Sequence, residues 1–136
     1  LEAGARRIGH GVDIYWESDC YALLDSMRQR DVAIEINLTS NEFILGVAGK
    51  QHPVTLYRRF GVPMVISTDD AGVLRSNLTE QYVLLATRYP EFSYTDIRAL
   101  VFNSIRYSFV EDPTLEAVLL ARVEAQFAAF EERVLR

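Results

Sequence analysis

Asp69 and Asp70 stand side by side at the end of a short apolar run, Val62-Pro63-Met64-Val65-Ile66-Ser67-Thr68. Adjacent carboxylates repel each other, so such a pair suits a place where a cation is shared. One reading is a divalent-metal or substrate site at the C-terminal mouth of a parallel sheet. The other is a plain turn, since Asp-Asp followed by Ala71-Gly72 is good loop chemistry. His10 is the second candidate, set between Gly9 and Gly11 just after Arg7-Ile8. Glycines there let the backbone take unusual angles and let a ligand come close, which makes Gly9 a candidate substrate contact. A third polar group, Asn37, Thr39, Ser40 and Asn41, follows another apolar run. His52, the remaining histidine, precedes Pro53 and reads as a helix cap or core anchor rather than a ligand.

The elements that must position these residues are short. A very short strand ends at His10, a second covers residues 32–37 and a third covers residues 62–66, too brief for helices and rich in β-branched residues. Residues 1–5 read as the end of a helix stopped by Gly4. Ser18 can cap the next helix, with Tyr21, Leu24 and Met27 as its apolar stripe and Cys20 packed near its first turn. Residues 38–51 read as a long loop, and His52-Pro53 opens a helix at its first position with Leu56 and Phe60 inward. Strand and helix thus alternate, as in βαβ units of a parallel sheet. Three strands end in residues able to do chemistry, which points to an active-site face at the C-terminal ends of barrel strands. Beyond residue 72 the chain reads as helical. Asn77 and Glu80 form a capping box with Tyr82 and Leu85 inward, and Ser93 caps a helix carrying Ile97, Leu100, Val101 and Ile105. Asp112-Pro113 starts a last helix striped by Leu115, Val118, Leu119, Val123, Phe127, Phe130 and Val134. The organisation expected is one partial domain over residues 1–136, with βα units through residue 72 and C-terminal helices after it.

Composition narrows the classes. With 136 residues, 49% of them hydrophobic, the chain has globular composition and enough length for a core. A net charge of −5, with no basic cluster longer than Arg6-Arg7 or Arg58-Arg59, argues against nucleic acid as a partner. The single cysteine excludes an intrachain disulfide and a Cys-x-x-Cys metal motif, and a reduced, cytoplasmic setting is the expectation. No apolar run approaches the ~20 residues of a membrane helix, so no membrane partner is expected. The chain opens on Leu1 and reads as a fragment.

Taken together, Arg7-Ile8-Gly9-His10-Gly11, Ser40-Asn41, His52-Pro53, Ser67-Thr68-Asp69-Asp70 and Asn103-Ser104 come in an order and spacing that resembles the adenosine deaminase family. The resemblance covers essentially the whole chain. It implies the α/β C-terminal part of a (β/α)₈ TIM barrel, strands six to eight plus the closing helices, of the metal-dependent amidohydrolase kind. It implies zinc as cofactor, with Asp69 a zinc ligand and a catalytic residue. Asp70 would be catalytic and bind the purine ring. His10 would take the proton from the zinc-bound water. Zinc lowers the pKa of such a water towards ~7, and hydroxide then attacks the carbon bearing the amine.

Two departures stand out. Ala71-Gly72 replaces the proline the family usually carries after its aspartates. The family's His-x-His pair, third zinc histidine and general-acid glutamate have no counterpart in these 136 residues, and one aspartate is not a zinc site. The expected function is therefore hydrolytic deamination of adenosine or a related aminopurine by a longer parent, with the chain alone inactive. The alternatives are a non-catalytic α/β fragment or binding domain, or a family member acting on adenine or a nucleotide. Partners expected are a purine nucleoside and, through exposed strand edges, other copies of the chain.

Overall fold

A computed structural model describes Leu1 and residues 3–135. Its centre is a parallel sheet of three strands in the order β1 (Arg7–Gly9), β2 (Ala33–Ile36) and β3 (Met64–Ile66). The register pairs Ile8 with Ile34 and Gly9 with Glu35, then Ile34 with Met64 and Ile36 with Ile66. Side chains alternate between faces of a strand, so Ile34, Ile36, Met64 and Ile66 share one face. That face joins a single apolar core with Leu24 and Met27 of α1 (Cys20–Gln29) and Val54 and Tyr57 of α3 (Val54–Phe60). Leu85 of α5 (Leu78–Arg88) and Leu100 of α6 (Tyr94–Arg106) complete it. Each such side chain, fully buried, contributes about 1.5–3 kcal/mol. This core sets the three strand tips in line at one end of the sheet.

Helix ends follow the sequence closely in the second half. Asn77 and Glu80 form the expected capping box, and Ser93 forms one with Asp96. Asp112 accepts from the backbone N–H groups of Thr114 and Leu115, with Pro113 first in α7 (Pro113–Val134). The α7 stripe packs only in part: Phe127 stacks on Phe102 of α6, while Val118 and Val134 stay exposed. At the N-terminal edge of the sheet, Arg7 donates to the Tyr107 carbonyl, which ties the end of α6 to β1.

The first half departs from expectation in several places. Leu1 and residues 3–5 form a turn, closed by Gly4 N–H on the Leu1 carbonyl at 3.1 Å, not a helix end; Glu2 lies outside the described residues. Ser18 is not the cap of α1, which begins at Cys20 after Asp19 with no side-chain cap. Tyr21 is exposed and stacks on Phe60 at 5.4 Å between centroids. In α3, which starts at Val54 with Pro53 before it, Val54 and Tyr57 are buried, and the expected Leu56 and Phe60 are half-buried and pack against the same core. The largest correction concerns residues 38–51. They form helix α2 (Leu38–Leu45) and a 3₁₀ turn, Gly49–Gln51. Polar contacts rather than an apolar stripe hold α2: Gln81, fully buried on α5, accepts from Thr39 N–H at 3.1 Å and donates to Thr39 Oγ1 at 2.6 Å. A short helix, α4 (Ala71–Leu74), follows the aspartate pair.

Leu24→Ala should lower unfolding free energy by about 2–5 kcal/mol, as for other buried leucines. Asn77→Ala, which removes only a cap, should cost about 1 kcal/mol. Urea unfolding curves of the two variants would separate these magnitudes.

Candidate active site

Parallel pairing continues past the strands: His10 N–H donates to the Glu35 carbonyl at 3.0 Å and Ser67 N–H to the Ile36 carbonyl at 3.0 Å. The residues just beyond β1, β2 and β3 therefore meet. His10 Nε2 lies 3.8 Å from Asp69 Oδ2, with the two side chains 39% and 29% exposed. Ser40, in the first turn of α2, donates to the same Asp69 oxygen at 2.6 Å. His10 Nδ1, on the far side of the ring, meets Asn41 Nδ2 at 2.9 Å and Asn37 Nδ2 at 3.4 Å. Asn41, 0% exposed, reaches His52 Nε2 through its Oδ1 at 2.9 Å.

His52 does what its place before Pro53 suggests. It is buried, and its Nδ1 accepts from the backbone N–H of Val54 at 3.1 Å, one of the unpaired donors at the start of α3. Burial depresses its pKa from 6.5 to about 4, so the ring is neutral at pH 7. Tyr57, whose pKa burial raises, donates to the Gly11 carbonyl at 2.7 Å and pins the loop that carries His10.

Both His10 (φ 62°) and Asp69 (φ 53°) occupy the left-handed region. For non-glycine residues this costs about 1–2 kcal/mol each. Of the glycines flanking His10, it is Gly11 that the backbone demands: its φ is 59°, and a Cβ there would lie 2.4 Å from Ile34 Cδ1 and 2.5 Å from the Tyr57 hydroxyl. Around Gly9 a Cβ would meet nothing within 4 Å, so its space is open to a ligand.

Gly9, His10, Ser40 and Asp69 line one cavity of about 490 Å³, with Val12, Ile14, Ile44 and Leu45 as part of its apolar wall. Asp70, the other half of the carboxylate pair, is exposed, precedes α4 and is not among the lining residues. Among the described residues no three His, Cys, Asp or Glu side chains gather closely enough to hold a metal ion. A zinc site takes three or four protein ligands. The donor set of this chain, Asp69 with His10 beside it, therefore does not make one alone. Gln81 is the residue of this network that type and spacing did not single out, while Ser40 and Asn41 were marked by the polar run after the second strand.

A three-stranded parallel sheet with polar tips at one edge is the architecture of one sector of a (β/α)₈ barrel, and known structures agree. The chain matches an adenine deaminase from Arthrobacter aurescens with a TM-score of 0.73 at 26% identity, covering 90% of this chain and 36% of that one. It matches the Arabidopsis thaliana N6-methyl-AMP deaminase at 0.73 and 27% identity, covering 88% and 34%. In sequence, residues 1–126 match the adenosine deaminase family, and the chain belongs to it. Similar proteins include adenosine deaminases of Plasmodium falciparum, 27% identical over 86% of this chain, and Serratia proteamaculans, 34% over 82%. Human N6-methyl-AMP deaminase is 34% identical over 79%. The chain spans about a third of the length of the curated relatives it matches: 31%, 32% and 31% of these three.

Two outcomes follow from the local geometry. Gly11→Ala should destabilise the fold by about 1–3 kcal/mol through overpacking and strain, whereas Gly9→Ala should leave thermal unfolding nearly unchanged. His52 should make stability fall as pH drops from 6.5 towards 4, since the unfolded chain takes up a proton that the folded one refuses. The effect approaches about 3 kcal/mol at ~1.36 kcal/mol per pKa unit, read as a slope in urea midpoints that His52→Gln should flatten.

Proposed function

We propose that this chain is the C-terminal sector of a zinc-dependent hydrolase that replaces the exocyclic amine of an aminopurine with oxygen. Water adds to the ring carbon bearing the amine, the carbon–nitrogen bond breaks, and ammonia leaves. The observation that carries the reading is His10 Nε2 at 3.8 Å from Asp69 Oδ2, at the mouth of a cavity that also holds Gly9 and Ser40. A turn with no chemistry has no reason to bring a histidine from another strand to its carboxylate. Similar proteins named for adenosine, adenine and N6-methyl-AMP support the aminopurine class.

In this reading Asp69 is one ligand of the metal, and the other ligands belong to sequence outside these 136 residues. Ser40, bonded to one Asp69 oxygen, fixes the carboxylate and leaves its other oxygen to turn towards a cation. His10 contacts the attacking water and orients it. Gly9, with open space where a side chain would stand, lets the purine lie against the backbone. Asp70 bonds the purine ring. The single cysteine accords with a reduced, cytoplasmic setting, and no described helix is long and apolar enough to cross a membrane.

The 136-residue chain alone should show no deaminase turnover, because three strands do not close a barrel and one carboxylate does not hold zinc. Its open strand edges should promote self-association, visible by sedimentation. In a full-length protein containing the chain, His10→Ala should lower kcat by about 10²-fold or more while zinc content stays near that of the parent. Asp69→Ala should lower both. Ammonia release from adenosine, adenine and AMP, with elemental analysis of each variant, tests this; full zinc in the Asp69 variant would reverse the division of labour.

A further inference from the structure

We propose that Asn41 and His52 are positioning residues that set the tautomer of His10, so that its neutral ring presents Nε2–H, not a lone pair, to the Asp69 side of the cavity. The direction of each bond follows from a donor that cannot be reversed. That donor is the backbone N–H of Val54, which can only give a proton to His52 Nδ1. With Nδ1 accepting, a neutral His52 must carry its proton on Nε2 and donate it to Asn41, whose facing atom is then Oδ1. The amide's other end, Nδ2, is thereby turned to His10 and can only donate, at 2.9 Å, to Nδ1. His10 Nδ1 accepts, so the proton of its neutral ring sits on Nε2.

A second anchor, independent of His52, points the same way. Asn37 is fully buried, and its Nδ2 lies 3.4 Å from both His10 Nδ1 and Glu35 Oε1. Turning that amide over would set its oxygen against the Glu35 carboxylate, acceptor against acceptor. Glu35 in turn is held by Arg7 through its other oxygen at 3.2 Å. Asn37 thus adds a longer contact at 3.4 Å to the nitrogen that Asn41 reaches at 2.9 Å, while its own Oδ1 is buried without a partner. The burial of His52, which keeps its ring neutral, prevents the chain of bonds from being reset by protonation near neutral pH.

The functional meaning rests on the deaminase reading: His10 would hold the attacking water by donating to its oxygen, in place of the proton-accepting role that the family resemblance implies for it. The tautomer itself does not rest on it, since it concerns the resting ring, with no substrate, no metal and no proton transferred. It can be read on this chain by ¹⁵N NMR, in which two histidines give two separable rings. In the neutral ring, His10 Nδ1 should show the shift of an unprotonated ring nitrogen. Couplings across the hydrogen bonds should link Asn41 Nδ2 to His10 Nδ1 and Val54 N to His52 Nδ1. A protonated His10 Nδ1, or no coupling to Asn41, overturns the proposal.

A free imidazole already favours Nε2–H, so a variant supplies the sharper arm. Asn41→Asp replaces the donor with a group that only accepts when ionised, and His10 Nδ1 should become protonated. His52, whose Nδ1 partner is unchanged, reports in the same spectrum whether the fold survives. An unprotonated Nδ1 at His10 beside an intact His52 signal sinks the proposal. Should that variant not fold, His52→Gln serves instead: its amide can donate to Asn41 Oδ1, and the coupling between Asn41 and His10 should persist. Absence of deaminase activity from the unsubstituted full-length protein, with these signals intact, would count against the deaminase reading alone.

Discussion

One buried amide joins the three βα units of this chain. Asn41 uses its oxygen on His52, which heads α3, and its nitrogen on His10, which ends β1, while sitting on α2 after β2. A primary amide with no exposure must find partners for both ends or lose about 1–3 kcal/mol per unsatisfied group. Both ends here find ring nitrogens, and each ring has its own second partner. Moving any one of the three elements by an ångström would open a bond at Asn41. The apolar core brings the strands together, but non-directional burial does not by itself specify where a ring nitrogen points. The polar chain supplies that specification.

Legibility in the sequence divided along the same line. β1, β2 and β3 were readable because short apolar runs rich in isoleucine and valine admit few alternatives. The caps at Asn77, Ser93 and Asp112 were readable because a side chain three residues or fewer from its backbone partner is a local fact. α2 was not readable. In its first turn Thr39-Ser40-Asn41 have modest helix propensity, and Phe43-Ile44-Leu45 is a continuous run without helical period. What makes it a helix is tertiary: Gln81, more than forty residues away, holds Thr39, and Asn41 is held by two histidines. Ser18 failed as a cap for a related reason, since Asp19 intervenes and α1 begins without any side-chain cap.

The site was legible in its placement more than in its partners. His10, Gly9 and Asp69 share a cavity as strand-end residues should, because a parallel register puts all three tips at one edge. Of the aspartate pair, read as a metal ligand and a purine contact, only Asp69 lines the cavity, its backbone in the left-handed region while Asp70 keeps a φ of −74°. Adjacent residues leaving a strand point apart, so a carboxylate pair in sequence is one carboxylate in the cavity and one beside it.

Backbone geometry bears on the two readings of the aspartate pair. Left-handed positions at connections are met in this chain both by glycine, as Gly46 and Gly61 at the ends of α2 and α3, and by other residues, as Asp31 after α1 and Arg75 after α4. At the two strand tips that face each other the left-handed residues are a histidine and an aspartate, each costing about 1–2 kcal/mol that glycine would not. The surrounding bonds over-determine both: His10 through Glu35, Asn37 and Asn41, Asp69 through Ser40 and Ser67. Strain retained on side chains capable of chemistry, and offset by several directed bonds apiece, belongs to a place where those side chains must stand in one orientation.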